Sequence, residues 1–141
     1  GPYDPELLNI EEILNKKGWY TVLKGSPVTY QKGNHFDEGL REYMDTFSEI
    51  DPKLEEIVGF LRPMKTSQAE RIATLLAAWN DFIIDGVSHP TDKEIIGEVV
   101  TNWTPNKANP QYSTWQDTLY KMREHRFVPK GSGVHTLQKE A

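Results

Sequence analysis

Three short patterns in the second half of the chain constrain its fold more than any other feature. Ser67 is followed three residues later by Glu70, Thr91 by Glu94, and Ser113 by Gln116, each ahead of a run with helical apolar spacing. In such a box the hydroxyl accepts the third helical amide and the Glu or Gln reaches back to the capping amide, so each pair marks a helix start. The runs predict a helix over 67–84 burying Ile72, Leu75, Leu76, Trp79 and Phe82 or Ile83. A second over 92–103 carries Ile95, Ile96, Val99, Val100 and Trp103, and a third over 114–125 carries Trp115, Leu119 and Met122. Asp85-Gly86 and Pro105 supply the first two stops.

After the third helix comes "HRFVPKGSGVHTL" (125–137), a Gly-Ser-Gly run between two apolar pairs. A phosphate-cradling loop needs Gly-x-x-x-x-Gly-Lys-Ser/Thr between a strand and a helix. Here Lys130 precedes the glycines and a β-branched stretch follows, so spacing and context both fail. The segment reads instead as a β-hairpin, with Phe127, Val128, Val134 and Leu137 in its strands and Lys130 and Ser132 at its tip. Three helices followed by a basic hairpin is the order of a winged helix-turn-helix domain.

The first half carries weaker signals. Asp4-Pro5 predicts the start of a helix over 4–17 with Leu7, Ile10, Ile13 and Leu14 on its apolar stripe, stopped by Gly18. "WYTVL" and "VTYQ", parted by Lys24-Gly25-Ser26-Pro27, suggest a hairpin. Residues 36–47 read as a helix with Phe36, Leu40, Tyr43 and Phe47 on one face. Asp51-Pro52 opens another, carrying Leu54, Ile57, Val58 and Leu61 and stopped by Pro63. The expectation is one α+β, mostly helical domain: a helix, hairpin and helix segment (3–65) packed on a winged helix (66–137), with 138–141 frayed. Gly1-Pro2, without an initiator methionine, reads as the scar of a cleaved tag, which predicts a piece taken from a longer protein.

Composition removes several classes of function. The chain has no cysteine, which excludes disulfides, thiolate zinc sites and a thiol nucleophile, and fits a cytoplasmic setting. No apolar run approaches the roughly 18–20 residues of a membrane span. The net charge of −5 is uneven: residues 1–100 hold 18 acids against 10 Lys/Arg, and residues 101–141 hold 3 against 6. That basic last third is a local footprint for an anionic partner.

Catalytic arrangements are scarce. Asp81 and Asp85 lie four apart on one helix, but no third ligand follows at metal spacing, and they read as a solvated face and a helix stop. His35, His89, His125 and His135 stand singly, and no serine sits in a nucleophile elbow. No cofactor is expected. Trp79, Trp103 and Trp115 read as core anchors. With Trp115, Leu119 and Met122 buried, the opposite face of the third helix shows Thr114, Thr118 and Lys121. Lys107, Arg123, Arg126, Lys130 and Ser132 would meet phosphates, and Asn109 and Gln111 base edges or phosphates. Asp117 and Glu124 oppose such contact, and winged helices also dock proteins, so both partners stay open.

"ERIATLLAAWNDFIIDG" (70–86), "PTDKEIIGEVVTNWTPNK" (90–107) and "WQDTLYKMREHRFVPKGSGVHT" (115–136) together resemble carboxy-terminal domains of bacterial restriction and phage-defence proteins, the motor (R) subunits of type I restriction enzymes first among them. The resemblance covers about residues 66–137 and rests on helix faces and caps. It implies a non-catalytic accessory domain that contacts double-stranded DNA and helps assemble a restriction or defence complex. The alternative is a protein-docking module with no DNA role.

Overall fold

A computed structural model describes residues 5–104 and 109–136. Asp4, Lys107, Leu137 and the 138–141 tail lie outside the described residues. Among those described, the chain is an α+β protein built mostly of helices, with a single two-stranded antiparallel sheet. It divides into two compact units, the first ending at Glu56 and the second beginning at Ile57.

The first unit opens with α1 (Glu6–Lys16), which leads into β1 (Tyr20–Leu23) and β2 (Thr29–Lys32). Tyr20 pairs with Lys32 and Val22 with Tyr30, so the two aromatic-flanked stretches form the expected hairpin. α2 (Phe36–Phe47) follows, then α3 (Asp51–Leu61), which crosses the unit boundary. No residue of α1, α2 or α3 is buried. The stripe expected to anchor α1 stays open: Leu7, Ile10 and Ile13 keep 48–57% of their surface in solvent.

The second unit has a proper core. α4 (Thr66–Ile84), α5 (Asp92–Glu98, continued by a π-helical turn over Val99–Trp103) and α6 (Tyr112–Glu124) pack on one another in all three pairings. Ile72, Leu75, Ala78, Ile95, Ile96, Val99, Trp115, Leu119 and Met122 fill the space between them. Phe60, Leu61 and Met64 pack against this cluster, which draws the end of α3 into the second unit. Val100, expected inside, faces outward because the widened turn rotates it away from the core. Trp79 and Trp103 pack at the core's edge.

Of the three expected capping boxes, the one at Thr91 forms as drawn. Its hydroxyl accepts from the Glu94 amide at 3.3 Å, and the Glu94 carboxylate accepts from the Thr91 amide at 2.7 Å. The bond from the Thr91 amide, and then one that the Thr91 hydroxyl donates to the same carboxylate oxygen at 2.7 Å, hold the Glu94 carboxyl below its ordinary value. The other two are corrected. α4 starts at Thr66, and the Gln68 side chain accepts from the Lys65 amide at 2.9 Å, so Ser67 is already inside the helix. α6 starts at Tyr112 with Gln111 as its extended cap, which places Ser113 inside as well.

The expected wing is also corrected. Residues 127–136 contain no strand; they run as a strap along α4. The Asn80 amide acts as a backbone surrogate: its oxygen accepts from Gly131 N at 2.9 Å and its nitrogen donates to Ser132 O at 3.0 Å. Thr136 N donates to Asp81 Oδ1 at 2.8 Å. With these partners the strap needs no second strand, and Val134 is left 87% exposed. Gly131 is required twice over. Its φ is +72°, and an added Cβ would come within 2.4 Å of the Ile83 side chain.

Gly133, at φ +86°, has open space around its missing Cβ. Gly133→Ala is therefore expected to cost only the left-handed backbone penalty of about 1–2 kcal/mol. Gly131→Ala must also displace Ile83 and should cost at least about 1 kcal/mol more. Urea unfolding of the two variants checks the order.

Candidate functional site

A marked concavity lies wholly within the first unit. It is a groove of about 560 Å³ lined by Leu14 of α1, Trp19 and Tyr20 at the start of the hairpin, and Phe36, Leu40, Tyr43 and Phe47 of α2. Its size falls in the range of sites that enclose a ligand or a peptide segment. Phe36, Leu40, Tyr43 and Phe47 recur at helical spacing, so the groove follows one face of α2 for about 16 Å at 1.5 Å per residue. Gly39 sits mid-helix because Trp19 lies against the backbone there; an added Cβ would meet the indole ring at 2.7 Å. Tyr20 stacks edge-on against Phe36 with centroids 5.5 Å apart, and Tyr43 tilts against Phe47 at 5.6 Å.

The charged side chains that line this apolar surface are both acidic. Glu42 and Glu55 line the groove, and neither has a hydrogen bond or ion pair among the described residues. The Tyr43 hydroxyl donates to Asp51 Oδ1 at 2.5 Å. That bond, with smaller contributions from desolvation and from the Asp51 and Glu55 charges, raises the phenol above its ordinary value of 10.0. Tyr30 donates in the same way to Glu11, which raises its phenol too. Lys17 and Lys32 stand over the faces of Trp19 and Phe36 at 4.5 and 4.6 Å, and neither lines the groove.

The residues expected to meet DNA scatter in role. Arg123 is held by Asp92 at 2.5 Å and stacks on Trp79 at 5.1 Å. Asn109 bonds Thr104, accepting from its hydroxyl at 2.7 Å and donating to its carbonyl at 3.3 Å. Thr118 donates back to the Thr114 carbonyl at 2.8 Å, and Thr114 is half-buried. Ser132 is exposed, with its carbonyl engaged by Asn80. Gln111, Lys121, Arg126 and Lys130 are exposed. Arg126 has φ +54° and closes α6: its amide donates to Arg123 O, and the Phe127 amide to Met122 O. α1 and α4 end with the same pair of bonds, but with Gly18 and Gly86 at the left-handed position.

One cluster escaped the sequence reading. Asp81, expected on a solvated face, is 5% exposed and lies under His135. The His135 ring nitrogens stand 3.2 Å from Asp81 Oδ2 and 3.3 Å from Asp85 Oδ2. The strap brings the histidine to α4 across 50 or more residues of sequence, a distance that spacing rules cannot bridge. Among the described residues no group of three acidic or histidine side chains is arranged to hold a metal ion. No helix among them is long and apolar enough to cross a membrane. Compared with known proteins, the chain matches no family model, no curated sequence and no solved structure.

The Tyr43–Asp51 bond gives the groove a titration signature. A phenol whose folded value is raised contributes stability below its unfolded value and loses that contribution as pH rises through the folded one. Ultraviolet difference titration is expected to show Tyr43 ionising above pH 10.0 in the native protein, and Asp51→Asn should bring it back towards that value. An unmoved Tyr43 titration in that variant would contradict the assignment.

Proposed function

We propose that the chain is a non-catalytic docking module whose first unit receives an apolar segment of a protein partner. The observation that carries this reading is an imbalance between the units. The second encloses a full core, whereas the first buries no side chain among its described residues and presents an aromatic groove of about 560 Å³. A cleft of this volume, lined mainly by apolar and aromatic side chains, is of the size that binding sites have, and burying apolar surface repays about 25 cal/mol per Å² before association costs. A helix laid along α2 would use the helix-in-groove mode of recognition, with anchors at i, i+4 and i+7.

One observation favours a second contact, made by the other unit with DNA. Arg126 occupies a left-handed position that glycine fills at α1 and α4, and an arginine there costs about 1–2 kcal/mol of backbone strain. Its side chain and those of Lys121 and Lys130 are exposed and free to meet phosphates. The resemblance to restriction motor-subunit domains supports placing both contacts in a DNA-processing complex, with the third helix as the DNA-facing element.

Selection of random peptides displayed on phage tests the docking reading, with a Leu40→Asp/Phe47→Asp variant as the control. Both positions are over 40% exposed, so the variant should fold. Recovered peptides should carry apolar residues at helical spacing and bind the variant at least about ten-fold more weakly, a loss of roughly 1.4 kcal/mol. Peptides that bind both proteins alike would overturn the reading.

A further inference from the structure

The charge around the groove identifies the chemistry of its occupant. Residues 3–56 hold 12 acidic against 6 basic side chains, a balance of −6. Within the groove itself the contrast is sharper, because Glu42 and Glu55 are its charged lining residues and both lack a partner among the described residues. Lys17 and Lys32 are already engaged over the ring faces of Trp19 and Phe36. A neutral or acidic peptide laid on Leu40 and Phe47 would leave those carboxylates uncompensated at the edge of a newly dried surface. A basic one would neutralise them, and its cations would be drawn in by the surrounding field.

Resting on the docking reading above, we propose that the occupant is a basic amphipathic helix of a partner protein. Its apolar stripe would lie along Phe36, Leu40, Tyr43 and Phe47, with lysine or arginine flanking the stripe to reach Glu42 and Glu55. The length fits: the α2 face runs about 16 Å, three turns of a facing helix. A compact small molecule would fill only part of that track. A second copy of this chain would bring its own acidic first unit against these carboxylates, so like charges oppose self-association through the groove.

The test uses two synthetic 18-residue helical peptides with the same leucine stripe, one with lysine at every flanking position and one with glutamate. Fluorescence anisotropy is read against the wild-type chain, the Leu40→Asp/Phe47→Asp variant and a Glu42→Lys/Glu55→Lys variant. The lysine peptide should bind wild type at least about ten-fold more tightly than the glutamate peptide, and the charge-reversed variant should invert that preference. Binding of the lysine peptide should also be lost in the Asp/Asp variant, which separates docking in the groove from attraction to an acidic protein at large. If both peptides bind wild type equally and both are lost in the Asp/Asp variant, the groove docks helices but the basic partner is wrong. If neither peptide binds, or if the lysine peptide binds all three proteins alike, both the groove and its occupant are wrong. Light scattering on the free chain completes the set: a dimer that dissociates in the Asp/Asp variant would assign the groove to a second copy and overturn the proposal.

Discussion

The second unit depends on the burial of nine apolar side chains shared among α4, α5 and α6. Leu75, Ile95, Leu119 and Met122, one or more from each helix, are wholly enclosed. Each therefore contributes about 1.5–3 kcal/mol of burial, enough together to fix three helices whose own propensities would not hold them. Everything else in this unit leans on that core. The strap from Phe127 to Thr136 is positioned because α4 is rigid enough to present Asn80, Asp81 and Ile83 in a fixed row. Arg126 keeps its strained backbone because Phe127, the next residue, is anchored against the core and against Phe60.

The first unit is organised by a different rule. Its hairpin and helices satisfy their backbone hydrogen bonds, and its rings stack on one another, but none of its described side chains is removed from water to the degree seen around Leu75. Local structure is thus specified without a completed core. A segment so built lies at the low end of the stability range within one protein. Its apolar face stays open, with Glu42 and Glu55 beside it, and under the proposed docking role those carboxylates would bias the choice of partner.

Much of this was legible in the sequence, for reasons that differ by element. The stripe Trp115, Leu119 and Met122 was read correctly because i, i+4, i+7 spacing forces one face inward once a helix forms. The limits of α2 followed from its apolar period, and the first hairpin from β-branched runs around a Gly-Ser-Pro break. Two caps were misplaced because Lys65 and Gln111 cap without a short hydroxyl side chain, which the box pattern requires. The strap was misread as a hairpin because its partners, Asn80 and Asp81, lie some 50 residues away on a helix. The same separation hid the placement of His135 between Asp81 and Asp85. The groove was invisible for another reason. The apolar stripes of α1 and α2 carry the pattern of buried faces, and nothing local says that they stay uncovered.

The central claim is that the first unit has a fold but no enclosed core of its own. Native-state hydrogen exchange of the free chain tests it most directly. The account predicts that amides of α2, residues 36–47, exchange at least about 100-fold faster than those of α4 around Leu75 and Ala78. Equal protection of the two helices would mean that the first unit is already as stable as the second, and would contradict the account.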